Sequence, residues 1–242
     1  MIESIRRRLF PRPSPPSATI LQPIKTRAID AAFKYVDARS FADLGGVWAV
    51  DAAYSIYGLA QPGIHHAYLV DYAFTPAVLQ TAKRDRRLRL LHGNFGSPEV
   101  IREVPAVDVI LLFDVLLHQV DPDWDGIIRA YAASTRSFAV VQPQWVGSAA
   151  TVRLVDLGRE KYLANVPRLP EHELLFDRLE ERHVIHNRPY IDVPDVWQWG
   201  ITDDDLISAM GAAGFTTVHQ ENGGRWGELP AFEMHGFVFA KA

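Results

Sequence analysis

There is no cysteine anywhere in the 242 residues. The chain can therefore form no disulfide, hold no metal through thiolates and use no cysteine nucleophile. Iron–sulfur radical chemistry and cysteine-dependent attack on pyrimidine rings are excluded with it. Such a chain suits a reducing compartment and is expected to be cytoplasmic. No apolar run reaches the roughly 18 residues that a membrane span needs. The opening MIESIRRRLF has too short an apolar stretch after its arginines for a secretory signal. Basic charge is scarce as well: 25 Lys and Arg stand against 29 Asp and Glu, a net charge of −4. A nucleic-acid footprint normally shows the opposite balance. Neither a nucleic-acid partner nor a membrane span is expected, and the oligomeric state is left open. Arg6, Arg7 and Arg8, followed by prolines, read as part of a flexible basic tail over 1–22, ahead of one domain over 23–242. Docking of those arginines on a membrane surface or a partner is the lesser alternative.

What is plentiful is apolar sequence, 48% of the chain, enough for one substantial core. Ile29, Ala32, Phe33 and Val36 recur at helical spacing and predict a helix that ends before Ser40. Short apolar runs end at Leu44, Asp71 and His92, with helices predicted over 50–59 and 76–84, the second burying Val78 and Leu79. VDVILLF at 107–113 is continuously apolar, as a strand covered on both faces must be. Trp124, Ile127, Ile128 and Tyr131 share a helix face, and 138–141 reads as another central strand. This alternation predicts right-handed crossovers and a parallel sheet. The pattern breaks over 146–198, which holds Pro167, Pro170, Pro189 and Pro194 and no obvious strand. Regularity returns at Thr202, which with Asp205 makes a capping-box-like helix start, and Gly214 marks the stop. A strand around Val218, a loop at Gly223-Gly224 and a strand through HGFVFA complete the chain.

The stretch 40–63, SFADLGGVWAVDAAYSIYGLAQPG, and the HHAYLVDY that follows are the most informative. Together they give a strand, a glycine turn at Gly45-Gly46, a helix, and an acid, Asp71, at the tip of the next strand. Parallel units of this kind bind nucleosides. The glycines let the ligand approach the backbone, and the acid accepts hydrogen bonds from ribose hydroxyls. Two ligand classes use the arrangement, dinucleotides and S-adenosylmethionine. A pyrophosphate requires G-x-G-x-x-G, whereas here the run is Gly45-Gly46-Val47-Trp48-Ala49, with Trp48 a poor neighbour for phosphate. S-adenosylmethionine carries no phosphate and asks only for room for a methionine backbone and a ribose.

The D-L-G-G turn led by Asp43, with Asp71 following 28 residues on, resembles that of the class I S-adenosylmethionine-dependent methyltransferases. Ala49 departs from a third small glycine often found there. The terminal strand pair after a helix, and the phrase WGITDDDLISAMGAAGF at 199–215, resemble the same family. The resemblance covers 24–242, interrupted by 146–198. It implies an α/β fold: a doubly wound, mostly parallel seven-stranded sheet with an antiparallel C-terminal strand between two earlier ones. The segment 146–198 is then a helical lid insertion.

Ligands of open parallel sheets lie at the carboxyl ends of the strands. On the resemblance, Asp43, Gly45 and Gly46 shape the cofactor loop, and Asp71 binds the ribose. Tyr72 lies against the adenine or packs locally. Asn94 accepts from the adenine amino group, or serves a left-handed turn, and Phe95 offers a ring face. Asp114 ends the central strand among apolar residues, where a lone carboxylate is costly; the methionine ammonium and the sulfonium are its expected partners, against a strand-end cap facing water. His118 is the candidate base for a hydroxyl or ammonium acceptor, with Asp121 orienting it, or else it packs beneath the cofactor. Gln142, Gln144 and Trp145 are expected just after a strand, facing the acceptor. The spacing of Asp114, His118 and Asp121 is not diagnostic of a metal site, and no metal is expected. Asn-Pro-Pro-Tyr, a mark of many exocyclic-amine methyltransferases, is absent. The aromatics and histidines of the insert, among them His172, His183, His186, Tyr190, Trp197 and Trp199, are expected to form its own small core.

The implied activity is methyl transfer from S-adenosylmethionine to an oxygen, in preference to a nitrogen, of a small molecule such as a sugar, a glycolipid precursor or a secondary metabolite. Two rivals remain. One is an NAD(P)-dependent oxidoreductase, disfavoured by the Trp48 loop and the lack of a Tyr-x-x-x-Lys pair. The other is a non-catalytic nucleoside-binding partner protein.

Overall fold

Pro23 fixes the backbone for the first turn of a helix and has no amide hydrogen to leave unpaired there. In the computed structural model, which describes residues 21–183, 187–194 and 196–241, that helix is α1, Pro23–Val36. It buries Ile24, Ala28, Ile29, Ala32, Phe33 and Val36 along one face. The tail expected over 1–22 lies outside the described residues except for Leu21 and Gln22, and His186 lies outside them too.

After α1 come β1 (Ser40–Leu44), α2 (Ala53–Leu59), β2 (His66–Asp71), α3 (Pro76–Arg84), β3 (Leu88–His92), α4 (Pro98–Glu103), β4 (Val107–Phe113), α5 (Trp124–Ala132) and β5 (Thr135–Trp145). The insert contributes β6 (Val152–Arg153), α6 (Arg159–Ala164) and α7 (Pro170–Leu175), and β7 (Trp199–Gly200) follows directly after it. The chain ends with α8 (Asp203–Ala212), β8 (Phe215–Arg225) and β9 (Phe232–Lys241). The main sheet has seven strands in the order β3-β2-β1-β4-β5-β9-β8. The first five are parallel, and β9 runs antiparallel to both neighbours.

The apolar run of β4 is buried on both faces, as its composition requires. Val109 and Leu111 face α1 with Phe33 and Phe41. Ile110 and Leu112 face α5 and α8 with Ile127, Leu206 and Met210. Thr202 caps α8 by accepting from the Asp205 amide at 3.3 Å, the capping geometry that the sequence indicates.

Several expectations need correction. The helix expected over 50–59 begins only at Ala53, because the Ala52 amide bonds back to Gly46 at 2.9 Å and holds 45–52 in a turn. Leu79 points to solvent, 44% exposed, and α3 is anchored by buried Val78 with partly buried Ala82. β5 runs on through Gln142, Gln144 and Trp145, since β9 pairs with it as far as Trp145 and Phe232. Gly223-Gly224 is a register irregularity inside β8 rather than the loop between the last strands. α4 has no counterpart in the sequence reading.

The insert is not strandless either. β6 and β7 pair antiparallel, Val152 with Gly200 and Arg153 with Trp199, and so bring its two ends together. Its interior is a separate apolar cluster in which Leu154, Tyr162, Leu175 and Trp197 pack with Trp145 and Phe232 of the main sheet. His172 belongs to this cluster. Burial pulls its pKa down to about 4, so it is neutral. One ring nitrogen bonds the Pro167 carbonyl at 2.7 Å, and the other accepts from the Trp197 amide at 3.3 Å.

Candidate functional site

The glycine turn sits at the carboxyl end of β1, between the tips of β2 and β4. Gly45 adopts φ +82, and a Cβ there would meet Val115 Cγ1 at 2.8 Å, so only glycine fits. A Cβ on Gly46 would lie 2.3 Å from Asp43 Oδ2. Asp43 is therefore packed directly beneath the loop it leads, 2% exposed, and accepts from the Ser55 hydroxyl at 2.6 Å. Burial pushes its pKa up to about 6, Ser55 opposes the rise, and nearby Asp71 adds to it. In this position Asp43 supports the loop from below.

Asp71 stands at the tip of β2 beside that loop. One carboxylate oxygen accepts from the Val47 amide at 3.1 Å, and the other from the Ala73 amide at 3.4 Å. The same carboxylate thus ties the loop to the strand tip that the sequence marks for ribose.

Tyr72, Asn94 and Phe95 line one cavity of about 240 Å³, together with Gln119 and Val120 from the segment after β4. Asn94 spends its side-chain oxygen partly on a turn, accepting from the Gly96 amide at 2.8 Å. What it adds to a ligand is its amide NH₂ and the remaining oxygen lone pair. Phe95 lies against the glycine turn, 3.5 Å from the position of a Gly45 Cβ, and its carbonyl accepts from the Tyr131 hydroxyl at 2.7 Å.

Asp114 has a partner that the sequence reading missed. Its carboxylate forms an ion pair with Lys25 of α1. Lys25 is 4% exposed, and its ammonium lies 5.2 Å from the Tyr54 ring centroid and 5.8 Å from that of Phe113. Asp114 adopts φ 54, a left-handed conformation that aspartate tolerates, and its amide bonds Val141 at 2.9 Å. The second carboxylate oxygen is buried without a hydrogen-bond partner. Acid and base are 89 residues apart, and the apolar helix pattern around Lys25 gave no sign of the pairing.

His118 ends a short 3-10 turn, Leu116–His118, just beyond Asp114. Its Nδ1 lies 2.9 Å from the Val196 carbonyl. A carbonyl can only accept, so Nδ1 carries the hydrogen and Nε2 is the basic nitrogen. Asp121 does not orient it. That side chain is 89% exposed and meets Arg188 at 3.4 Å. Asp114, His118 and Asp121 consequently do not converge, and no cluster of three potential metal ligands occurs among the described residues.

Gln142 and Gln144 are fully buried, on one face of β5 by the two-residue strand period. All four of their side-chain amide atoms lack hydrogen-bond partners, a costly arrangement unless something polar meets them. Trp145 is brought elsewhere. Its ring packs edge-on against Phe232, and its indole nitrogen donates to Ser148 at 2.7 Å.

Among the described residues no helix is long and apolar enough to cross a membrane. No family model matches the chain, and no curated protein matches its sequence. Solved structures do match. A 1,6-didemethyltoxoflavin-N1-methyltransferase from Burkholderia thailandensis, solved with S-adenosylhomocysteine, is 14% identical, with 91% of this chain and 79% of that one covered at a TM-score of 0.58. The N-terminal domain of EvdMO1, solved with S-adenosylhomocysteine and D-fucose, is 12% identical, with 100% and 97% covered at 0.59. The mitomycin 7-O-methyltransferase MmcR is 16% identical, with 90% and 54% covered at 0.51. The chain has the fold of the class I S-adenosylmethionine-dependent methyltransferases.

Proposed function

We propose that this chain is a cytoplasmic S-adenosylmethionine-dependent methyltransferase acting on an oxygen, in preference to a nitrogen, of a small molecule. The observation that carries the reading is the cavity of about 240 Å³ lined by Tyr72, Asn94 and Phe95. It lies at the end of the sheet that also bears the Gly45-Gly46 turn and Asp71. A base in that cavity leaves the ribose to Asp71 and the methionine portion to the glycine loop. Asp114 suits the cationic end, since one of its oxygens is buried and unpartnered.

S-adenosylmethionine supplies an activated methyl group on a sulfonium, and the protein's share is placement and proton removal. His118 takes the acceptor's proton at Nε2 while the Val196 carbonyl holds its ring by the Nδ1 hydrogen. Gln142 and Gln144 present amides to a polar acceptor, with Trp145 behind them joining the strand tip to the insert. The N1- and 7-O-methyltransferases among the similar structures support a small-molecule acceptor. A sugar, a glycolipid precursor or a secondary metabolite fits the polar glutamine pair. The insert over 146–198 serves as the lid that sets substrate choice.

Calorimetric titration with S-adenosylmethionine, S-adenosylhomocysteine, NAD and NADP tests the proposal. The two sulfur nucleosides are expected to bind and the dinucleotides not. Binding of NAD or NADP alone would overturn it.

A further inference from the structure

The cavity that holds Tyr72, Asn94 and Phe95 is not closed by the sheet alone. Two of its lining residues, Arg188 and Pro194, come from the insert, more than ninety positions beyond Phe95. Arg188 reaches the segment after β4 and donates to the Val120 carbonyl at 3.0 Å. It also lies 3.5 Å from the Asp192 carbonyl and 3.4 Å from the Asp121 carboxylate. Those bonds run in the plane of the guanidinium and leave its faces for a ring.

Val120 and Arg188 line a second cavity as well, an open polar one of about 730 Å³. They are therefore the partition between the small cavity and the wide one. Arg188 is well placed for this, with its side chain only 27% exposed and anchored at several points.

We propose that Arg188 is a cofactor-binding residue, its guanidinium stacking on the adenine from the side opposite the strand tips. The inference rests on the reading of this cavity as the adenine site. It makes the insert part of the cofactor site as well as a cover for the acceptor. A neutral purine offers an electron-rich face to the cation, and the planar guanidinium matches its shape.

The test compares wild type with Arg188→Met, which keeps the aliphatic stem, and Arg188→Lys, which keeps the charge without the plane. S-adenosylhomocysteine and adenosine are the two probes, titrated by calorimetry, with ligand-free thermal unfolding as the check on folding. Both variants are expected to bind each probe about tenfold more weakly, and by the same factor, because the lost contact is to the base that both probes share. Unchanged affinity in folded variants overturns the proposal. So does a loss seen with S-adenosylhomocysteine but not with adenosine, which would put Arg188 at the homocysteine end. A wild-type protein that binds neither probe would overturn the methyltransferase reading itself.

Discussion

Lys25 and Asp114 form an ion pair at the carboxyl tip of the central strand, with the lysine almost wholly buried and the aspartate partly open. The pair joins the first helix to the end of the strand from which the loop bearing His118 departs. Its asymmetry is the useful point: one partner is out of water, the other still faces the site.

Asp114→Asn leaves Lys25 buried beside Tyr54 and Phe113 without a counter-charge. Removing one partner of a fully buried pair costs about 3–5 kcal/mol. With Asp114 open to solvent the expected loss is smaller, about 1–3 kcal/mol. Lys25→Met should cost less than Asp114→Asn, because the stranded carboxylate can be hydrated. Urea unfolding of both single variants and the double variant measures this, and equal losses in the two singles would contradict it.

Asp43 makes stability depend on pH. Its folded pKa is raised to about 6, so the stability it contributes is full below its unfolded pKa of about 4. That contribution is lost as pH rises through about 6. Asp43→Asn keeps an acceptor for Ser55 and cannot ionise. The variant should gain on wild type between pH ~4 and pH ~7, by on the order of 2–3 kcal/mol in total. Denaturation midpoints across that range are the measurement, and parallel curves for the two proteins would remove Asp43 as the cause.

His235 shifts stability in the same direction but through its charged form, in a higher pH window. It lies between Asp203 at 2.8 Å and Glu233 at 3.2 Å. Burial disfavours its charge, but the two carboxylates outweigh burial and its pKa is raised. The stability of the charged form is full below the unfolded pKa of about 6.5 and fades as pH rises through the higher folded value. His235→Gln should therefore destabilise more at mildly acid pH than in alkali. A penalty independent of pH would point to packing alone.

For His118, removal of the proposed base should lower turnover by roughly 10²–10⁴ while S-adenosylhomocysteine affinity stays nearly intact. His118→Asn serves as the structural control, since its amide can still donate to Val196. If His118 serves only to anchor Val196, the asparagine variant should recover activity and stability together.

The insert gives the last prediction. On the proposal that it is a lid that also covers the cofactor, it should be cleaved by trypsin more slowly once S-adenosylhomocysteine is bound. Equal cleavage rates with and without saturating ligand would mark it as a static appendage.

The first four strands, the glycine turn and Asp71 were legible in the chain because each is written in local pattern. Continuous apolar runs mark buried strands, paired glycines mark a turn no larger residue can make, and Thr202 with Asp205 marks a helix start. The limits of β5 were not legible, because its last residues are extended only through pairing with β9. The partner of Asp114 is Lys25, 89 residues away, and His118 takes its tautomer from Val196, 78 residues away. Arg188 reaches the Tyr72 cavity only because β6 and β7 pair and turn the insert back over the sheet. Periodicity and turn chemistry act over a few residues, so the sequence alone determined most of the strands and helices of the main sheet and the expectation of a ligand at one end of it. Which charges meet, which nitrogen is basic and which residue closes the cavity depend on contacts between distant segments, and only the tertiary structure decided those.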